Sequence, residues 1–262
     1  PDRGYPCDGR LGAPRRCRLA RLIEPVESPA QPPAFSLGSF FTRGKEGFAA
    51  ARREMVEMQL RRRGITDARV LAAMAAVPRE EFVSHELRAR AYDDSPLPIG
   101  EGQTISQPYI VAAMIAALHL TGTERVLEIG AGCGYQSAVL SLLATEVFAV
   151  EFRSTLARAA AERLERLGYA NVHIRCGDGT LGLPEFAPYA AILVAAAAPI
   201  VPPPLLAQLA EGGRMILPVG GPEEQELHLI EKEAGQLRTC SLDPCRFVPI
   251  TGRYGWRHSS SR

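Results

Sequence analysis

The chain has 262 residues, 46% of them hydrophobic, and a formal net charge of +1. That is enough apolar material for a full core, and the length suits one α/β domain with additions better than two domains. The near-neutral balance gives no electrostatic reason to expect nucleic acid as a partner. The longest apolar runs, around residues 112–118 and 190–201, fall short of the roughly 18 to 20 residues that a membrane span needs, so no membrane partner is expected.

Residues 1–45 are rich in proline and arginine and lack helical or strand periodicity, which predicts a disordered or loosely packed extension. The Arg15-Arg16 pair has no apolar stretch after it, so a secretory or twin-arginine signal is not expected, and the start at Pro1 reads as a processed, truncated or misassigned beginning. A single domain is expected over 46–262, opening on a helical preamble (46–91). Its first helix runs over 48–63 and is stopped by Gly64; its second is capped by Asp67 and ends before Pro78. A turn-rich loop follows (92–107), with Pro96, Pro98, Gly100 and Gly102, and then an apolar helix over 108–118. From there the alternation is regular: strand 125–129, helix 135–144, strand 147–150, helix 154–167, strand 171–175. This is βαβαβ, the arrangement of a parallel sheet with crossover helices. Strand 190–195, a helix near 205–210 and strand 214–219 extend the sheet core (108–220), and closing strands are expected over 225–231 and 236–248 within a C-terminal part (221–257).

The most informative segment joins strand 125–129 to helix 135–144. VLEIGAGCGYQ, starting at Val126, places Glu128, Gly130, Gly132 and Gly134 at alternate positions. A dinucleotide fingerprint requires G-x-G-x-x-G, and Tyr135 stands where its third glycine must be. The pattern that fits, E-x-G-x-G-x-G, resembles motif I of the S-adenosylmethionine-dependent methyltransferases. Gly132 and Gly134 permit unusual dihedrals and close backbone approach to a ligand, and Cys133 reads as filling a small-residue slot. Glu151, at the carboxyl end of the next strand, is placed to accept ribose hydroxyls, and Gly177-Asp178-Gly179 after the third strand would bring Asp178 to the adenine amino group. The six cysteines show no C-x-x-C pair or regular framework, so a reducing cytoplasmic location is the default. The five histidines form no motif, and no metal is expected.

Read together, VPREEFV from Val77, YDDSPLPIGEGQTISQP from Tyr92, VLEIGAGCGYQ, the GDG triplet, QLAEGGRMILPVG from Gln208 and RFVPITGRYGW from Arg246 closely resemble the protein-L-isoaspartate O-methyltransferases, over about four fifths of the chain. The resemblance implies a Rossmann-like, mostly parallel doubly wound sheet. It also implies a monomeric cytosolic repair enzyme that moves a methyl group from S-adenosylmethionine to the free α-carboxylate of L-isoaspartyl residues in aged proteins and peptides, leaving S-adenosylhomocysteine. By resemblance Ser106 is the active-site serine, orienting the substrate carboxylate. Asp94, Thr104 and Gln107 are substrate-side candidates. The cofactor side comprises Glu128, Gly130, Gly132, Gly134, Glu151, Asp178, Gly179 and Thr251. A purely local argument gives Ser106 or Gln107 a further job, as N-cap of the helix opened by Pro108.

The sequence departs from the family pattern at Ala190, where an aspartate is usual, and at Ala195, where a threonine is common. Loss of the aspartate predicts a looser loop near the cofactor. The alternative readings are a noncatalytic S-adenosylmethionine-binding protein and a methyltransferase for another substrate.

Overall fold

A computed structural model of the chain describes Arg15, Arg16 and residues 44–256. The expected extension 1–45 therefore lies outside the described residues, except for Gly44, Lys45 and the two-residue strand β1 (Arg15–Arg16). β1 pairs in parallel with Cys240 and Ser241, a pairing that composition did not suggest.

The preamble contains α1 (Lys45–Met55) and α2 (Ala68–Ala76). One helix was expected over 48–63. Instead α1 widens into a π-type turn at Val56–Leu60 and tightens into a 3₁₀ turn at Arg61–Arg63 before Gly64 ends it at φ 92°. The expected cap on α2 is present, Asp67 accepting from the N-H groups of Arg69 and Val70. Two further 3₁₀ segments, Arg79–Phe82 and His85–Arg90, carry the chain to the 92–107 loop.

That loop contains a hairpin absent from the sequence reading. β2 (Leu97–Gly100) and β3 (Gln103–Ile105) are antiparallel, and Glu101 and Gly102 between them both have positive φ, at 53° and 70°. This backbone hand suits the twist of a two-residue hairpin turn, and three proline or glycine residues beside it hid the strands. α3 (Pro108–Ala117) follows with Pro108 at its first turn; its N-cap position is Gln107, but neither Gln107 nor Ser106 provides a side-chain cap bond, contrary to expectation.

The remaining elements are β4 (Arg125–Ile129), α4 (Tyr135–Ser141), β5 (Glu146–Glu151), α5 (Ser154–Arg166), β6 (Val172–Cys176), β7 (Tyr189–Val194), α6 (Pro203–Gln208), β8 (Leu209–Gly220), β9 (Gln225–Glu233) and β10 (Gln236–Cys245). Leu209 and Ala210, expected at the end of a helix, open β8 instead. The sheet order is β1-β10-β9-β8-β7-β4-β5-β6. β4 to β8 run parallel and β9 and β10 return antiparallel. Alternate strand residues feed opposite layers: Val126 joins the core beneath α2, α3 and α4, while Leu127 and Ile129 pack with Phe148, Ile192, Leu205 and Met215 on the other face. The strand order reverses at β4, with β5 on one side and β7 on the other. This is the topological switch point at whose carboxyl end open α/β sheets bind ligands.

Candidate active site

The loop after β4 is shaped by three glycines in left-handed conformation: Gly130 at φ 88°, Gly132 at 55° and Gly134 at 86°. Its amides turn back onto the neighbouring strand, Gly130 N-H donating to the Val150 carbonyl at 2.8 Å. A side chain at Gly132 would crowd Ile99 of the hairpin, its Cβ falling 3.1 Å from Ile99 Cδ1, and one at Gly134 would crowd Leu164 of α5. The glycines therefore let the hairpin and α5 close on the loop as well as exposing backbone.

Around this loop runs a crevice lined by Gln103 and Thr104 of the hairpin, Gly130 and Gly132, Glu151, Phe152 and Arg153 after β5, Gly179, Ala195 and Ala196 after β7, and the closing segment from Val248 to Thr251. The hairpin tip is tethered across it: Thr155 Oγ1 donates to Glu101 Oε1 at 2.9 Å, and the Arg153 guanidinium lies 3.6 Å from the same carboxylate. Of the sequence-derived candidates, Thr104, Gly130, Gly132, Glu151, Gly179 and Thr251 thus meet at one crevice.

The others occupy different places. Glu128 is fully buried beneath the loop and accepts from the Ser137 hydroxyl, leaving its Oε1 without a partner. Burial pushes its carboxyl up to about 8; the Ser137 hydrogen bond opposes the rise and the nearby Glu151 charge adds to it. Gly134 is the N-cap of α4. Asp178 was expected to face adenine, yet its Oδ1 accepts from Thr180 N-H and hydroxyl while its Oδ2 accepts from Arg253 N-H at 2.7 Å, tying the closing segment to the GDG turn. Glu151 is likewise already engaged, accepting from Gly132 N-H at 2.8 Å and Arg153 N-H at 2.9 Å. Asp94 accepts from Gln107 Nε2 at 3.0 Å and from Arg63 at 2.8 Å, so these two substrate-side candidates clamp each other across the loop. Ser106 is half-buried just beyond the hairpin, its carbonyl held by Arg79.

Sequence reading missed Phe152, whose ring is 49% exposed at the crevice. An aromatic directly after a strand-end acid was the available signal. Ala190 lies at the start of β7, Val194 ends the strand and Ala195 follows it, so the four strand residues 191–194 separate Ala190 from the crevice. The expected loosening of the cofactor loop is thus corrected by position: the missing aspartate belongs to the opposite rim. Ala195 does line the crevice and donates its N-H to the Ile129 carbonyl, a bond that needs no side chain.

The donor set fits a cationic amino-acid nucleoside. It combines a glycine cradle, a carboxylate with a lone pair free on each oxygen, and an exposed aromatic residue. Among the described residues no group of three or more His, Cys, Asp or Glu is arranged to hold a metal, and no helix is long and apolar enough to cross a membrane.

Known proteins agree with this geometry. The family model for protein-L-isoaspartate(D-aspartate) O-methyltransferase (PCMT) matches residues 50–255. A protein-L-isoaspartate O-methyltransferase of Koribacter versatilis is 54% identical over 210 residues, 80% of this chain and 95% of that protein, and one from a Roseiflexus species is 53% identical over 209 residues. Among solved structures, a protein-L-isoaspartate O-methyltransferase at 35% identity superposes with TM-score 0.71, covering 78% of this chain and 67% of that one. A Plasmodium falciparum protein assigned to the same activity, in complex with S-adenosyl-L-homocysteine, superposes with TM-score 0.68 at 25% identity, covering 77% of this chain and 99% of that one. The glycine cradle, the hairpin over it and the closing segment are therefore those of a methyltransferase, and the chain belongs to the protein-L-isoaspartate(D-aspartate) O-methyltransferase family.

Proposed function

We propose that this chain methylates the free α-carboxylate of L-isoaspartyl residues in aged proteins and peptides, using S-adenosylmethionine and releasing S-adenosylhomocysteine. The observation that carries this reading is the meeting of two motifs at one crevice: the E-x-G-x-G-x-G loop supplies its floor, and the GQTIS segment brings Gln103 and Thr104 over it. When bound, S-adenosylmethionine supplies an electrophilic methyl group on a sulfonium. Gly130 and Gly132 admit the ligand close to backbone, Glu151 offers its remaining lone pairs to ribose hydroxyls, Phe152 offers a face to the base, and Gly179 and Thr251 close the sides. Glu128, Gly134 and Asp178 act from behind, the first two shaping the loop and Asp178 holding the closing segment.

An α-carboxyl with a reference pKa of about 3.3 to 3.7 is ionised at neutral pH, so the protein has no proton to remove from the nucleophile. Its task is alignment and exclusion of water, which can contribute on the order of 7 to 11 kcal/mol. Ser106 and Thr104 orient the carboxylate; Asp94 and Gln107 set the loop that receives the peptide. The methyl ester expels methoxide far more readily than a carboxylate expels oxide, so the following main-chain nitrogen can attack its carbonyl and re-close a succinimide with release of methanol, and hydrolysis of that ring returns some normal aspartate. On the family resemblance the protein works as a monomer in the cytoplasm, with neither nucleic acid nor membrane as partner. The noncatalytic alternative drew on Ala190, and its distance from the crevice removes that ground.

The test offers S-adenosylmethionine labelled in its methyl group with paired peptides differing only in aspartyl or isoaspartyl linkage. Base-labile label is expected on the isoaspartyl peptide alone. In the same assay Ser106→Ala should lower turnover about tenfold or more and leave cofactor affinity unchanged. Label on both peptides, or on neither, would remove the assignment.

A further inference from the structure

Arg79 is completely buried, at 0% exposure, in a segment that sequence reading treated only as part of the family resemblance. Its guanidinium donates two hydrogen bonds to backbone carbonyls. Nε donates to Ala91 O at 2.7 Å and Nη2 to Ser106 O at 2.8 Å. The first carbonyl immediately precedes the 92–107 loop and the second lies near its end, just past the hairpin. One rigid fork therefore fixes the distance between the points where the loop leaves the core and returns to it.

The same side chain reaches the cofactor layer. The guanidinium carbon sits 4.7 Å from the centroid of the Tyr135 ring, and Tyr135 opens the helix that follows the glycine loop. Phe82 packs edge-on against that ring at 5.5 Å. Among the described residues no carboxylate acts on the charge of Arg79, and its Nη1 is buried without a hydrogen-bond partner. A cation buried without a counter-ion is a poor way to gain stability, and burial lowers its pKa accordingly. A planar fork that can hold two carbonyls at a set spacing is something lysine or an apolar side chain cannot replace.

We infer that Arg79 is a positioning residue for methyl transfer: it clasps both ends of the substrate loop, and so sets where Ser106 and the hairpin stand relative to the glycine cradle. The inference rests on the proposed function for its kinetic consequence; the clasp itself does not. Losing the clasp lets the loop ends drift apart and misplaces the groups that orient the carboxylate, while the floor of the crevice, built by β4, β5 and the glycine loop, remains.

The test uses Arg79→Lys, which keeps charge and approximate bulk but cannot span two carbonyls, and Arg79→Ala, in which added guanidinium ion can refill the space. In folded Arg79→Lys we expect kcat on an isoaspartyl peptide to fall at least tenfold and the dissociation constant for S-adenosylhomocysteine to stay within threefold. Amide hydrogen exchange over residues 92–106 should quicken while that over 126–136 stays as in the parent. Millimolar guanidinium should restore part of the rate to Arg79→Ala, and methylammonium should not. A folded Arg79→Lys with kcat within twofold of the parent, or with cofactor affinity falling by the same factor as kcat, overturns the inference. Should the parent protein fail to methylate isoaspartyl peptides, the functional reading falls, and the exchange measurement alone decides whether the clasp exists.

Discussion

At Phe152, which stays 49% exposed, the crevice has its only aromatic lining residue among the described residues, beside glycines, aliphatic side chains and the charged pair Glu151 and Arg153. The exposed face of Phe152 is free to stack on a planar ligand. Stacking of a base on an aromatic side chain is worth about 1 to 3 kcal/mol. Phe152→Ala should accordingly raise the dissociation constant for S-adenosylhomocysteine between about fivefold and a hundredfold, with a melting temperature close to that of the parent; calorimetric titration checks the first and a thermal scan the second. An unchanged affinity would place the base elsewhere. Glu151 illustrates the opposite case: strand register correctly put it at the crevice, but both its oxygens are committed to Gly132 and Arg153 amides, because a carboxylate at that rim meets the unpaired N-H groups of a turn and a helix start as readily as it meets a ligand. Residue type and position in the chain locate such a group, and only the folded backbone shows which of its lone pairs remain.

The closing segment after β10 is held from two sides. Ala197 N-H donates to the Val248 carbonyl and Ile250 N-H to the Ala197 carbonyl, while Arg253 and Tyr254 donate to Asp178 Oδ2 and Thr180 Oγ1. Asp178→Asn keeps an acceptor for Thr180 but turns an amide donor toward the Arg253 N-H. Loss of that bond, with two donors facing each other, costs about 1 to 3 kcal/mol locally. Exchange of amides over 248–256 should quicken in the cofactor-free variant, and S-adenosylhomocysteine should dissociate about tenfold faster. Protection unchanged in this segment would mean that Asp178 serves the ligand alone. The GDG triplet announced a turn at this place, since Asp caps and glycines turn over short range. Its longer bonds run 75 residues along the chain and leave no local trace. The same distinction divides the rest of the fold. Edge strand β6 followed from the glycine that ends the preceding helix, and β4, β5 and β7 were legible because burial on both faces enforces apolar runs. The β2–β3 hairpin was not, because Pro98, Gly100 and Gly102 suppress the alternation by which strands are read. The clasp on Ala91 and Ser106 was equally hidden, since an arginine that will be buried looks the same as one that will be solvated.

For the molecule as a whole, the buried carboxyl of Glu128 links stability to pH. Its pKa is raised to about 8 in the folded protein, chiefly by burial, against an ordinary carboxyl value when unfolded. Between those two values the folded state holds a proton that the unfolded state has released, and stability falls as pH rises wherever the folded state binds more protons. The contribution of this one group is therefore greatest below the ordinary carboxyl range, declines across the interval up to about 8, and adds no further slope above it, at a rate on the order of 1 kcal/mol per pH unit. Glu128→Gln carries no proton to lose, and its side-chain carbonyl can still accept from the Ser137 hydroxyl. Urea unfolding of the cofactor-free parent and variant at pH 5, 6, 7 and 8 should show two diverging lines, the parent losing stability relative to the variant at each step. Parallel lines would mean that Glu128 is ionised throughout, with water or a shifted Ser137 satisfying the oxygen that stands unpaired beneath the glycine loop. Divergence would instead show that the loop forms in the free protein over a neutral carboxyl, whose ionised form a positively charged ligand arriving above it would favour.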